Sequence, residues 1–249
     1  MLEHVTPGPA MPEDEYKAEI DGLRARLFSL QRRCWSVGLG ALIVLEGWHA
    51  AGKGKIINTL TSRLEPRAFE IHSIRDRRTH EKPLPWLYRF WLAIPAYGRI
   101  AIFDRSWNRR VLVHGLDGTL DDVDVEQAFD DINDFERALY DDRYTVIKFF
   151  LHIDRQCQRD RFEKLASDEA TSWRVDDDWE QNERYDEHLA VIEELLARTE
   201  TEWAPWHVVA AYDIRRARVQ VIDTVVQRLA GALAHHGFED EDGAGTGGR

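Results

Sequence analysis

Ala41-Leu42-Ile43-Val44-Leu45-Glu46-Gly47-Trp48-His49-Ala50-Ala51-Gly52-Lys53-Gly54 is the stretch that decides the fold. Five apolar residues in a row suit a short strand buried on both faces of a parallel sheet. A turn with glycines at 47 and 52 follows, and residues 53–64 then read as a helix. Strand, glycine turn and helix in that order are the context in which G-x-x-x-x-G-K is a phosphate loop. The glycines let several backbone N–H groups turn toward one anion; Lys53 adds a charge and the helix start adds its partial positive end. A glycine-rich turn with a surface lysine is the plain alternative. One position departs from the usual motif: Gly54 stands where a Ser or Thr hydroxyl would meet magnesium.

Further apolar runs occupy residues 69–74, 100–103, 144–153 and 207–211, and helical stretches separate most of them. This alternation predicts an α/β fold, a parallel sheet flanked by helices. Ahead of it, Tyr16, Ile20, Leu23, Leu27, Leu30 and Cys34 form one helical stripe that ends near Gly38. Residues 156–164 and 178–198 predict two helices in a charge-rich helical lid at about 155–201, and residues 215–236 predict the last helix. The folded unit is expected over 14–236. Residues 1–13, with three prolines and no apolar period, are expected as a disordered arm, and the acidic, glycine-rich 237–249 as a disordered tail.

The run 100–103 ends in Asp104, followed by Arg105 and, a turn on, Arg109 and Arg110. In phosphate-loop folds an Asp at such a strand end holds the metal, and guanidinium forks clamp phosphate oxygens. Taken alone, Asp104 could equally cap the next helix. Charge supports the phosphate reading. The chain carries −12 overall, yet residues 53–110 hold 13 Lys and Arg against 5 Asp and Glu. A basic island in an acidic protein attracts a local anion while the whole repels nucleic acid. Cys34 and Cys157 have no metal or disulfide spacing, no signal-like start precedes the fold, and no apolar run reaches membrane-spanning length. A cytoplasmic protein is expected. Most of the nine tryptophans read as packing residues, with Trp48, inside the loop, the exception.

Several segments together resemble the family-2 polyphosphate kinases. The loop Glu46-Gly47-Trp48-His49-Ala50-Ala51-Gly52-Lys53-Gly54 looks like that family's Walker A segment. Leu64-Glu65-Pro66-Arg67, Arg89-Phe90-Trp91, Ile94-Pro95-Ala96-Tyr97-Gly98-Arg99-Ile100 and Phe103-Asp104-Arg105-Ser106-Trp107 continue the likeness. So do Ile132-Asn133-Asp134-Phe135-Glu136-Arg137 and Ala204-Pro205-Trp206-His207-Val208-Val209. The resemblance implies a phosphate-loop kinase core with a helical lid, usually oligomeric, that uses Mg2+ (or Mn2+) to move phosphoryl groups between inorganic polyphosphate and a nucleotide. It assigns phosphate binding to Gly47, Ala51, Gly52, Lys53 and Gly54, the metal to Asp104, and phosphate steadying to Arg105, Arg110 and, in the lid, Arg174.

The departures fall at the centre. His49 occupies a place where the family has Asp, His114 stands where it usually has Glu, and Ile214 replaces a late Lys. Hard magnesium prefers oxygen ligands, so a histidine is no substitute. Two imidazoliums would favour an anion over a divalent cation. The expectation is a polyphosphate:nucleotide phosphotransferase with His49 and His114 in altered roles. Two alternatives stay open: a binding module of the same fold with impaired catalysis, and an ATP-dependent kinase of a small metabolite.

Overall fold

Five apolar runs of the chain pair side by side, all parallel, in the order β2-β3-β1-β4-β5. The strands are β1 (Gly40–Gly47), β2 (Phe69–Ser73), β3 (Ile100–Asp104), β4 (Tyr144–His152) and β5 (Trp206–Ala210). A computed structural model describes residues 2–113, 116–169, 171–172 and 179–238. Strand β4 is buried at every position and β1 at all but its last, because both faces of the inner sheet are covered. Edge strand β2 is partly open, with Ile71 47% exposed.

Helices α1 (Glu13–Val37), α2 (Lys53–Thr61), α3 (Tyr88–Trp91), α4 (Arg109–Leu112) and α5 (Asp122–Asp141) precede the lid. After them come α6 (Arg155–Ala166), α7 (Trp179–Glu183), α8 (Tyr185–Arg198) and α9 (Ile214–His235). The α1 stripe buries Ile20, Leu27, Leu30 and Cys34 and packs along α9, which buries Val221, Val225 and Leu229. Gly38 ends α1 in the left-handed region, φ 75°, and Leu39 N–H then bonds the Cys34 carbonyl. Among the described residues no helix is long and apolar enough to cross a membrane.

Three expectations need correction. The helix predicted over 178–198 is broken at Arg184 into α7 and α8 (Asp178 lies outside the described residues). The cause is a competing donor. Arg155 donates from Nε to the Asn182 carbonyl (3.1 Å) and from Nη2 to the Glu183 carbonyl (2.8 Å), acceptors a continuous helix would use itself. The expected disordered arm is instead held on α8 and α9. Leu2 is fully buried and its N–H bonds Glu193 (2.8 Å), Tyr212 donates to the Val5 carbonyl, and Arg215 donates to the Met11 carbonyl. Prolines in this segment lack N–H groups, but neighbouring carbonyls still accept, so arginines replace the missing ladder. Two residues of the expected tail are ordered: Gly237 and Phe238 finish the α9 cap, with Phe238 N–H on the Leu233 carbonyl. Residues 239–249 lie outside the described residues.

Candidate functional site

In parallel sheets ligands sit beyond the carboxyl ends of the strands, where the strand order reverses. Here that place lies between β1 and its neighbours β3 and β4. The turn after β1 is forced by close packing. Gly47 has φ 138°, and a Cβ there would lie 2.4 Å from the Leu151 carbonyl oxygen on β4. Gly52 has φ 106° and opens α2 as its N-cap. The carbonyl of Gly52 accepts from Lys55 and Ile56, while the first amides of α2 have no upstream carbonyl within the helix. Lys53 folds back over the turn and donates from Nζ to the carbonyls of Gly47 (2.8 Å) and Trp48 (3.1 Å). Its ammonium therefore hangs over the loop, where an anion's oxygens would meet it. Gly54 is exposed with open space around its missing Cβ, so no steric bar explains the absent hydroxyl.

Trp48, read from the sequence as the exception among packing tryptophans, is a packing residue too. It is fully buried, stacks on Tyr185 of α8 at 4.0 Å and 11°, and donates its indole N–H to His152 Nδ1 (3.2 Å). The tryptophan is thus the loop's anchor to the lid.

Beside the loop, Asp104 ends β3 in register with Leu45, half-buried. Arg105 follows with φ 65°, the left-handed region that non-glycine residues rarely adopt. Its N–H bonds the Leu45 carbonyl (3.0 Å), tying this turn to β1. From that strained position its guanidinium reaches across to His49, Nη2 to Nε2 3.1 Å. A guanidinium can only donate, so Nε2 must accept. In this arrangement His49 presents the lone pair of a neutral ring to Arg105. His49 orients Arg105 and keeps that guanidinium's charge whole.

Below the loop a second set of polar groups is fully enclosed. Glu46 accepts from the Ser106 hydroxyl (2.7 Å), and Ser106 accepts from Asn108 (2.9 Å). Burial pushes the Glu46 carboxyl above its usual range, opposed by Ser106 and by the charges of Lys53, Arg109 and Arg105. Trp107 donates to Glu136 (2.9 Å), which also receives Lys148 (2.7 Å), so the turn after Asp104 is fastened to the core at two points.

Arg110 does not reach the loop. It lies over the Trp86 ring, 5.8 Å from the centroid, in a cleft that Arg75, Arg77, Arg89 and Arg109 also line. Arg109 is paired there with Asp76 (2.8 Å). Sequence reading named Arg109 and Arg110 but saw Arg75 and Arg77 only as part of a charge count; the run Arg75-Asp76-Arg77-Arg78 was the available signal. It also missed the lid residues that touch the loop: Gln181 accepts from the His49 N–H (2.9 Å), and Arg161 donates to the Ala50 carbonyl (2.9 Å). Such contacts leave no motif. His114 and Arg174 lie outside the described residues. Ile214 takes the place of a lysine with its methyl end against Gly52, 2.8 Å from where a Cβ would stand. A wider surface groove, lined by Phe28, Trp35 and Arg67, sits near the amino ends of β1 and β2, opposite this site.

Comparison with known proteins agrees with this geometry. Residues 10–237 match the family model of polyphosphate kinase 2. The chain is 36% identical over 233 residues to the polyphosphate:AMP phosphotransferase of Pseudomonas aeruginosa, covering 93% of this chain and 47% of that protein. It is 33% identical over 222 residues to ADP-polyphosphate phosphotransferase 2 of Rhizobium meliloti, covering 89% and 72%. A crystal structure of polyphosphate kinase 2 from Arthrobacter aurescens TC1 superposes with a TM-score of 0.86 at 28% identity, covering 90% and 82%. One from Pseudomonas aeruginosa PA01 gives 0.89 at 36% identity, covering 94% of this chain and 50% of that one. The chain thus spans about half the length of the first of these relatives. A match over nearly the whole described fold, with the phosphate loop and the Asp104-Arg105 turn at neighbouring strand ends, means that the chain belongs to the polyphosphate kinase 2 family.

Proposed function

We propose that this chain moves a phosphoryl group between inorganic polyphosphate and a nucleotide, by in-line transfer at the loop of residues 47–54. The observation that carries the reading is that the turn under Lys53 and the Asp104-Arg105 turn follow the paired strands β1 and β3, beside an arginine-lined cleft. Phosphoryl transfer needs little covalent chemistry from a protein; alignment and neutralisation of phosphate charge do most of the work. The amides of Gly52, Lys53 and Gly54 and the Lys53 ammonium would cradle the transferring phosphate. Arg105 would bind its neighbour in the chain, and the cleft of Arg75, Arg77, Arg89 and Arg110 would take the phosphates of the second substrate. The names of the relatives, which mention AMP and ADP, support a nucleotide there.

The donors fit magnesium in its usual mode, in which one or two carboxylates hold an ion that keeps water and substrate phosphate oxygens as its other ligands. Asp104 would be the protein's carboxylate. When bound, the ion supplies charge neutralisation at the phosphate oxygens. Ordinary cytoplasmic residence and a homo-oligomer, without nucleic acid or membrane as partner, complete the proposal.

His49 favours a second reading, a family member that binds polyphosphate or nucleotide with impaired turnover. The imidazole that stands in the expected carboxylate's place is engaged by Arg105. A transfer assay decides between them: long-chain polyphosphate with each nucleoside mono- and diphosphate, with Mg2+ or Mn2+, and Lys53→Ala as control. Turnover lost in the control supports the enzyme. Binding without turnover supports the second reading, and no binding sinks both.

A further inference from the structure

The outer edge of the phosphate loop is held by a chain of carboxamides from the lid. Asn182 Nδ2 donates to the Arg155 carbonyl (2.9 Å) and to Gln158 Oε1 (3.1 Å). The Arg155 carbonyl can only accept, which identifies the atom facing it as the amide nitrogen, and the bond to Gln158 then identifies that side chain's oxygen. Its nitrogen consequently faces the loop. Gln158 Nε2 donates to Gln181 Oε1 (2.9 Å) and to the His49 carbonyl (3.3 Å). Gln181 Oε1 in turn accepts from the His49 N–H (2.9 Å). Gln158 is fully buried and Asn182 is 3% exposed, so water does not compete for these bonds. Both polar groups of His49's backbone are therefore gripped by α6 and α7. The same residue's ring sets Arg105.

We infer that Gln158 and Gln181 are positioning residues of the phosphate site, a lid-borne clamp that fixes the His49 backbone and, through its ring, the Arg105 guanidinium. The inference rests on the phosphate-binding reading above. The clamp has a direction: protons run from Asn182 to Gln158 to Gln181, and from His49 N–H into Gln181. Among the described residues Gln181 uses only its oxygen, so a carboxylate there would still accept both bonds. Gln158 uses its nitrogen, so a carboxylate there would set acceptor against acceptor at both Gln181 Oε1 and the His49 carbonyl. Two isosteric changes of equal charge thus have opposite consequences, which general loosening of the fold would not produce.

The test compares Gln158→Glu with Gln181→Glu in the full chain, by hydrogen exchange over residues 48–51 and by calorimetric titration with tripolyphosphate. Gln158→Ala and Gln181→Ala serve as truncation controls, and thermal midpoints are recorded throughout. Gln181→Glu is expected to keep wild-type amide protection. Gln158→Glu is expected to exchange tenfold faster or more and to bind tripolyphosphate at least tenfold more weakly. Equal behaviour of the two glutamates, or wild-type exchange in Gln158→Glu, would overturn the clamp. A wild-type chain that ignores tripolyphosphate would sink the phosphate-binding reading alone, because the exchange comparison still decides the clamp.

Discussion

Replacing Lys148 by methionine removes one half of an ion pair that has no access to water. Lys148 and Glu136 are both 0% exposed, with Nζ 2.7 Å from Oε2. Nζ also donates to the Thr199 carbonyl (2.7 Å) and sits 4.8 Å over the Trp206 ring, while Trp107 donates to the other carboxylate oxygen. At 2.7 Å the attraction is about 6 kcal/mol for an effective dielectric of roughly 20. Desolvation costs several kcal/mol per ion, so the pair is close to neutral as a whole. Breaking it is another matter: either single change leaves a buried ionisable group without its counter-charge, which must stay charged or be neutralised, and should cost about 3–5 kcal/mol. Urea denaturation of Lys148→Met, Glu136→Gln and the double variant measures this, and the double should lose less than either single. Burial pushes Glu136 up and Lys148 down, toward their neutral forms, and the partner's charge opposes each shift. Deprived of that partner, Glu136 in Lys148→Met holds a proton that the unfolded chain releases above the ordinary 4.5. The native state then binds more protons, and stability falls as pH rises. In Glu136→Gln the sign reverses: Lys148 is neutral in the fold and protonated in the unfolded chain below 10.5, so stability rises with pH. Single variants costing under about 1 kcal/mol, against the magnitude expected for a broken buried pair, or pH slopes of the same sign, would refute the reasoning.

Gly47→Ala sets a Cβ 2.4 Å from the Leu151 carbonyl at φ 138° and should cost more than about 3 kcal/mol in denaturant unfolding, the strained backbone adding to the clash. Gly54→Ala, with open space inside α2, should stabilise by about 0.5–1 kcal/mol. Burial lowers the pKa of His72, His152 and His207 from 6.5. The unfolded chain therefore binds more protons as pH drops below 6.5, and the thermal midpoint should fall there, whereas a flat midpoint from pH 7 to 5 would contradict this. His49→Asp places a carboxylate oxygen where the imidazole now faces Arg105, and Mn2+ binding in the presence of tripolyphosphate should tighten; an unchanged affinity would mean that His49 is not what weakens the metal site.

The inner strands were legible because burial on both faces demands continuous apolar runs, and all five predicted segments became strands. The turn after β1 was legible because its glycines answer local backbone demands at residues 47 and 52. Asp104 and Arg105 were legible as a strand end followed by charge. What sequence did not disclose depends on side chains meeting across distance. Arg155 breaks the lid helix by taking the carbonyls of residues 182 and 183, and nothing local at Arg184 announces it. Trp48 read as an exception to packing from its place in the loop, but Tyr185, 137 positions further on, covers it. The arm of residues 2–12 has no apolar period because arginines from α9 hold its carbonyls. The charge state of His49 follows from one donor, Arg105, which adjacency in sequence does not predict.

The most direct test of the central claim is phosphoryl transfer by the purified chain and by Lys53→Ala, with 32P-labelled polyphosphate and AMP or ADP as acceptor. The account predicts labelled nucleotide from the wild-type chain and a loss of a hundredfold or more in Lys53→Ala, whose loop carbonyls at Gly47 and Trp48 no longer hold an ammonium. Transfer that survives in Lys53→Ala would contradict it, because the phosphate would then be held somewhere other than this loop.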